Sequence, residues 1–174
     1  MIYTIGHSTR TFDEFVALLR AHGVVQLADI RTVPRSRRHP HFAAEALTRS
    51  LPVAGIAYRH FPGLGGLRKP RRDSPNSAWR HEGFRGYADY METAEFEHAL
   101  EDLLEFAAAG ERSATAIMCA EAVWWRCHRQ LVADALVARG VDVRHIMSID
   151  SAPPHTLTAF ARAADGRVSY RGLL

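Results

Sequence analysis

Short apolar runs alternate with segments of helical period along almost the whole chain, and that alternation limits it to a small set of α/β folds. Residues 2–5 read as a buried strand. Phe12, Phe15, Leu18 and Leu19 then recur at helical spacing, with Thr11 as N-cap and Gly23 as stop. Val24 to Ile30 is a second strand, Phe42 to Leu51 a second helix, and Ala57 to Phe61 a third strand. Pro62 to Gly83 has no apolar period and holds Gly63, Gly65, Gly66, Pro70 and Pro75, so it is predicted to be a long loop, and such loops in compact domains usually carry function. Helical spacing resumes at Phe84, Tyr87, Ala88 and Met91 and again at Phe96, Leu100, Leu103 and Leu104, with a break near Thr93. The acids from Asp89 to Glu105 in these helices are read as a solvated face. Ala114 to Met118 is a fourth strand, Gln130 to Arg139 a helix stopped by Gly140, and Val143 to Ser148 a fifth strand. A short helix near Thr156 to Ala163 and a last strand at Arg167 to Tyr170 complete the reading. The expected fold is a single α/β domain over residues 1–174, a mostly parallel sheet of about five strands with helices on both faces.

In such sheets ligands bind beyond the carboxyl ends of the strands, and there the residues are polar or reactive. The first predicted strand is followed by His7 and Ser8, the second by Asp29, Arg31, Pro34, Ser36 and Arg37, the third by His60 and Gly65-Gly66, and the fourth by Cys119 and Glu121. The opposite turns, such as Ala21-His22-Gly23 and Ala108-Ala109-Gly110, are plain. One site on one edge follows.

Charge adds the nature of its ligand. The net charge is +3, but residues 31–85 hold 12 of the 22 basic residues against Glu45, Asp73 and Glu82, which gives this segment +9 and the remainder −6. A basic segment on an otherwise acidic body points to an anionic partner, phosphate or nucleotide-like, with nucleic acid as the larger version. Nothing in the sequence has the length and apolarity of a membrane span, and the N-terminus starts directly as a strand, so a cytoplasmic protein with no membrane partner is expected. Two cysteines are too few for a disulfide scaffold and in a reducing compartment are free thiols, a redox pair or metal ligands.

Both cysteines fall at one junction. Cys119-Ala120-Glu121 follows the fourth strand, and Cys127-His128-Arg129 opens the next helix, where free N–H groups favour anions and thiolates. Together with Thr4-Ile5-Gly6-His7-Ser8, Asp29-Ile30-Arg31, Pro34, Ser36, Arg37, Leu64-Gly65-Gly66, Phe84 and Tyr87, these motifs resemble, in order and spacing over nearly the whole chain, the family called domain of unknown function 488. The resemblance implies a compact α/β protein of the kind found in bacteria and archaea and leaves the reaction open.

The residues themselves offer Cys119, Glu121, Cys127, His128 and His7 for thiol or acid–base chemistry. Ser8, Asp29, Arg31, Ser36, Arg37, Gly65, Gly66 and Arg129 are the candidates for holding an anion. Asp29 and Arg31, two apart at the end of a strand, share a face and can equally form an ion pair that orders the loop. Cys119 is followed by Trp125, not arginine, at the spacing of the cysteine phosphatase loop, so that reaction is excluded; sulfur transfer of the rhodanese type stays open. Cys119, Glu121, Cys127 and His128, with His7 or His60 from neighbouring strand ends, could ligate a metal, but they lack the short paired spacing of structural zinc sites, so no metal is assigned; the cofactor is left open, as is a three-ligand catalytic set drawn from separate loops. The expected function is that of a cysteine-dependent hydrolase or transferase acting on a small or nucleotide-like anion; the alternative is a non-enzymatic nucleic-acid-binding module that grips phosphates with segment 31–85.

Overall fold

The structure, a computed structural model, describes residues 1–110 and 114–172. Five strands, β1 (Ile2–Gly6), β2 (Val24–Asp29), β3 (Ala57–His60), β4 (Ala114–Cys119) and β5 (Val143–His145), form one sheet in the order β3-β2-β4-β1-β5 with every pairing parallel. The helices between them are α1 (Phe12–Ala21), α2 (Ala44–Val53), α3 (Glu82–Tyr90), α4 (Ala94–Ala109) and α5 (Arg129–Ala138). The expected parallel α/β sheet with covered faces is therefore present.

Its order decides which helix covers which face. The chain steps one way along the sheet from β1 to β2 to β3 and the other way from β3 to β4 to β5. Right-handed crossovers place α1 and α2 on one face and α3 to α5 on the other. The two apolar clusters follow this division. Phe15, Leu19, Leu47 and Leu51 pack with Tyr3, Ile5, Ala116 and Met118. Tyr87, Phe96, Leu100 and Leu131 pack with Ile2, Ile30 and Ile117 on the other side. Successive residues of β4 thus point to opposite faces, as strand geometry requires.

Local chemistry sets the element ends. Thr11 caps α1 by accepting the Glu14 N–H at 3.2 Å, while the Glu14 carboxylate takes the Thr11 N–H at 2.7 Å, a reciprocal capping box. Thr93 caps α4 through Phe96 N–H, and this is the expected break between α3 and α4. The loop from Pro62 to Gly83 contains only a single 3-10 turn, Pro62–Leu64. Asp89 orders it, accepting bonds from Arg71 N–H at 2.8 Å, the Ser74 hydroxyl at 2.6 Å and the Asn76 amide at 3.0 Å. Asp89 is buried, so it does not belong to the solvated acidic face.

Two expectations are corrected, one near the C-terminus and one at β5. No helix forms over Thr156 to Ala163; Arg162–Ala164 (β6) instead pairs antiparallel with Arg167–Ser169 (β7). The turn is Asp165-Gly166, both at positive φ, a two-residue hairpin signal that outweighs the weak helical spacing before it. Strand β5 ends at His145, because the chain then bonds to its own continuation, with Met147 N–H on the Ser151 carbonyl.

Candidate functional site

The β4 strand lies between β1 and β2, whose exits lead to α1 and to the loop before α2, whereas β4 exits toward α5 on the other face. The sheet thus opens a crevice at the carboxyl end of β4, the topological switch point where α/β folds bind ligands. His7 follows β1, Arg31 follows β2, and Cys119 ends β4, so topology alone brings three of the candidate residues together.

A cavity of about 780 Å3 opens there. Its walls include His7, Ser8, Arg31, Ser36, Arg37, Gly66, Cys119, Glu121 and His128 among the sequence candidates, and Thr32, Arg35, Arg38 and His39 in addition. A second cavity of about 500 Å3 shares Gly66, Cys119, Glu121 and His128 with the first and adds Cys127, Phe84, Tyr87, Trp125 and Arg126. Cys119, Glu121 and His128 form the ridge between an arginine-rich half and an aromatic half, with Cys127 on the aromatic side. Gly65 and Arg129 line neither cavity.

Asp29 and Arg31 form a buried bidentate pair. The Arg31 Nε donates to Asp29 Oδ1 at 2.8 Å and Nη2 donates to Oδ2, while the Tyr58 hydroxyl adds a bond to Oδ2 at 2.8 Å. Asp29 is fully buried and has both oxygens occupied, so it positions Arg31 and takes no ligand. Nη1 of Arg31 is left to face His7 Nε2 at 3.4 Å. Beyond this pair the loop turns on Ser36, whose hydroxyl accepts the His39 N–H at 2.9 Å, and Arg35, Arg37 and Arg38 stand exposed without an acidic partner among the described residues.

His7 is stacked on Phe42 at 4.4 Å, and its Nδ1 donates to the Ser8 carbonyl at 2.9 Å, which leaves Nε2 as an acceptor. Burial holds its pKa down to about 4, so the ring is uncharged at neutral pH. Ser8 sits at φ +50°, a turn that points the chain from β1 around the cavity.

Cys119 Sγ and Cys127 Sγ lie 3.9 and 3.5 Å from His128 Nδ1, and the three atoms all fall within 4.8 Å of one another. The other ring nitrogen, Nε2, faces the Ile30 carbonyl at 2.9 Å and must carry a proton to do so, which directs the Nδ1 side at the sulfurs. Both thiols are free and buried. Its neighbour Cys127 and burial push the Cys119 thiol up to about 12, while the nearby Cys119 outweighs burial to hold Cys127 down to about 7. The adjacent Arg129 guanidinium and backbone N–H, 3.5 Å from the sulfur, work in the same direction on Cys127. Of the two thiols, Cys127 is the one that loses its proton more readily.

Two glycines act by absence of a side chain, not by positive φ. A Cβ on Gly66 would stand 2.9 Å from His128 Nδ1, and one on Gly65 would stand 2.8 Å from the Thr32 Cα. Gly66 therefore leaves room for the imidazole, and Gly65 for the backbone of Thr32. Gly6 is tighter still, since its Cβ would meet the Glu121 carbonyl oxygen at 1.8 Å.

Arg129 is only 1% exposed. Its Nη2 holds the carbonyls of Glu121 and Ala122, and Nη1 reaches the Thr4 hydroxyl at 3.5 Å. From Thr4 a chain of bonds runs through His145 (2.8 Å) and His155 (2.9 Å) to Asp134 (2.8 Å), with Trp124 stacked 4.1 Å over His145. Trp124 thus packs inward, while Trp125 is half exposed beside Cys127. This buried relay was not anticipated. The one signal for it is Asp134, a charge set in the apolar run Leu131 to Leu136.

Among the described residues no helix is long and apolar enough to cross a membrane. Neither a curated protein nor a solved structure matches this chain. The family model described as Domain of unknown function DUF488 matches residues 11–136, from the cap of α1 to Leu136 of α5, and so includes Arg31, both cysteines and His128. With that match covering more than half of its length, the chain belongs to the DUF488 family.

Proposed function

We propose that this protein is an enzyme acting on a small or nucleotide-like anion at the carboxyl edge of its sheet, a hydrolase or transferase with a thiol and imidazole centre. One observation carries the reading: the arginine loop 31–38 and the Cys119, Glu121 and His128 side chains line the same cavity, which is of a size to enclose a nucleotide-sized ligand. Arg31 supplies a guanidinium already oriented by Asp29, at little further entropic cost on binding. Exposed Arg35 and Arg37 draw the anion in. His7, uncharged and with its Nε2 turned to the Arg31 guanidinium, and the Glu121 carboxylate are the groups that would move a proton at that wall.

The test uses inorganic phosphate, pyrophosphate and adenosine monophosphate as probes in calorimetric titrations of the whole protein. Saturable binding of at least one probe, weakened about tenfold or more by Arg37→Ala and preserved in Cys127→Ser, is the expected result. Absence of saturable binding by all three overturns the reading. The three guanidiniums of the loop that have no acidic partner among the described residues favour a second reading, a phosphate-backbone grip. It requires duplex or single-stranded nucleic acid to bind with a steep salt dependence that Cys127→Ser leaves intact.

A further inference from the structure

We propose that Cys119, Cys127 and His128 are the ligands of a divalent transition-metal ion of the zinc class, bound with its fourth position open to the cleft. With Zn–S near about 2.3 Å and Zn–N near about 2.05 Å, tetrahedral angles put sulfur and nitrogen ligand atoms about 3.6 Å apart. The sulfur-to-Nδ1 separations here are 3.5 and 3.9 Å, and all three atoms lie within 4.8 Å of each other. The sulfur–nitrogen separations match that geometry to within a few tenths of an ångström, and closing on one ion asks at most about 1 Å of the two sulfurs.

Three further features serve such an ion. His128 Nε2–H donates to the Ile30 carbonyl, the outer-shell bond that metal-bound imidazoles ordinarily make and that presents Nδ1 as the ligand. Gly66 lacks the Cβ that would stand 2.9 Å from that nitrogen, so the ligand face of the ring is kept clear. Cys119 and His128 line both cavities, which places the remaining coordination position on the ligand path and not in the core. Two thiolates and an imidazole neutralise a dipositive ion, and the thiolate-rich set selects zinc-like ions over magnesium or calcium. Three protein ligands with one open position are the arrangement of catalytic, not structural, zinc. A bound ion would supply Lewis acidity toward the anion or toward a water held beside it. The inference rests on the proposed function for its account of what the ion does there, but not for the site itself.

The experiment is titration of the reduced, chelator-treated whole protein with Co2+ and with Zn2+. Expected are one equivalent of each by native mass spectrometry, sulfur-to-cobalt charge-transfer absorption in the near ultraviolet, and intense tetrahedral bands in the visible. His128→Ala and Cys127→Ser, with folding checked by circular dichroism, should lose the charge-transfer bands or at least 100-fold (about 2.7 kcal/mol) in affinity. Gly66→Ala removes no ligand and should still weaken binding about tenfold by displacing the imidazole. Wild-type protein that develops no charge-transfer band, or variants that fold and bind as tightly as wild type, overturn the site. If cobalt does not bind but the phosphate probes do, the metal inference fails and the anion reading stands; if cobalt binds and no probe does, the reverse holds.

Discussion

Replacing Asp29 by asparagine tests whether the buried pair at the end of β2 is the fixed point on which the arginine side of the cleft depends. The carboxylate accepts two bonds at Oδ1, from Arg31 N–H at 3.1 Å and Nε at 2.8 Å, and two at Oδ2, from Arg31 Nη2 and the Tyr58 hydroxyl. An amide keeps the shape but must turn its NH2 toward one of those donor pairs, and it leaves the Arg31 guanidinium, 6% exposed, without its counter-charge. Removing one member of a buried pair costs about 3–5 kcal/mol. With an unfolding entropy of about 2.1 cal/mol/K per residue over 174 residues, that corresponds to a Tm lowered by about 8–14 °C. Urea unfolding followed by circular dichroism should show the same loss at unchanged m-value. The double variant Asp29→Leu/Arg31→Met removes both charges and should be less destabilised than the sum of its single changes by about 2 kcal/mol or more. A loss under about 1 kcal/mol in Asp29→Asn, or strict additivity in the double variant, would refute the argument that this pair is desolvated and mutually dependent.

Gly6→Ala should yield little soluble folded protein, because the new Cβ collides with the Glu121 backbone carbonyl and not with a side chain that can rotate away; expression and dichroism check it. Arg35→Ala/Arg37→Ala/Arg38→Ala should leave Tm within a few degrees, since these side chains are exposed and unpaired among the described residues, yet flatten the salt dependence of any polyanion binding by up to about one unit of log–log slope per arginine. His145 is held down to about 3 by burial and by its neighbours His155 and Arg129, so below about pH 6.5 the unfolded chain takes up a proton that the folded chain refuses. Stability should therefore be complete above pH 6.5 and fall by about 2–3 kcal/mol at pH 4.5 from this group alone. His145→Gln should shrink that fall in urea unfolding at the two pH values, and an unchanged pH dependence would show that the ring is not the group responsible.

The strands and helices were legible because burial imposes a period. Ala116, Ile117 and Met118 are apolar on both faces since both faces are covered, and Thr11 and Thr93 cap helices through bonds that their own side chains make. The short apolar spacing of Thr156 to Ala163 does not distinguish a helix from an extended segment, and the decisive local signal there is the turn pair Asp165-Gly166. Strand order was not legible, since it depends on which helices pack on which face. The site was partly so. Polar strand ends located the edge, and Arg31, Cys119 and His128 do meet there. What spacing concealed was the convergence of Cys119 and Cys127: the 3-10 turn Trp124–Arg126 folds the chain back between them, and a distance in sequence carries no information about that turn.

That return is also what couples the cleft to the core. The segment from Ala120 to Arg126 has to leave β4, cross the end of β1 and re-enter as α5, and it does so against three fixed features. Gly6 lets the Glu121 carbonyl approach the backbone of β1. Arg129 holds that same carbonyl and the next one from below. Trp124 lies flat on His145, whose ring is itself set by Thr4 and His155. Arg129 therefore serves both the core and the cleft. Its side chain secures the wall that carries Glu121, and its backbone N–H with its charge favours the thiolate of Cys127. A residue chosen from sequence as an anion ligand is placed instead as the tie between the buried Asp134 relay and the sulfur cluster. Substituting it with lysine should disturb both at once, because an ammonium presents its three donors from a single point and cannot span acceptors that the two guanidinium nitrogens reach together, at Thr4 from one side and at Glu121 and Ala122 from the other.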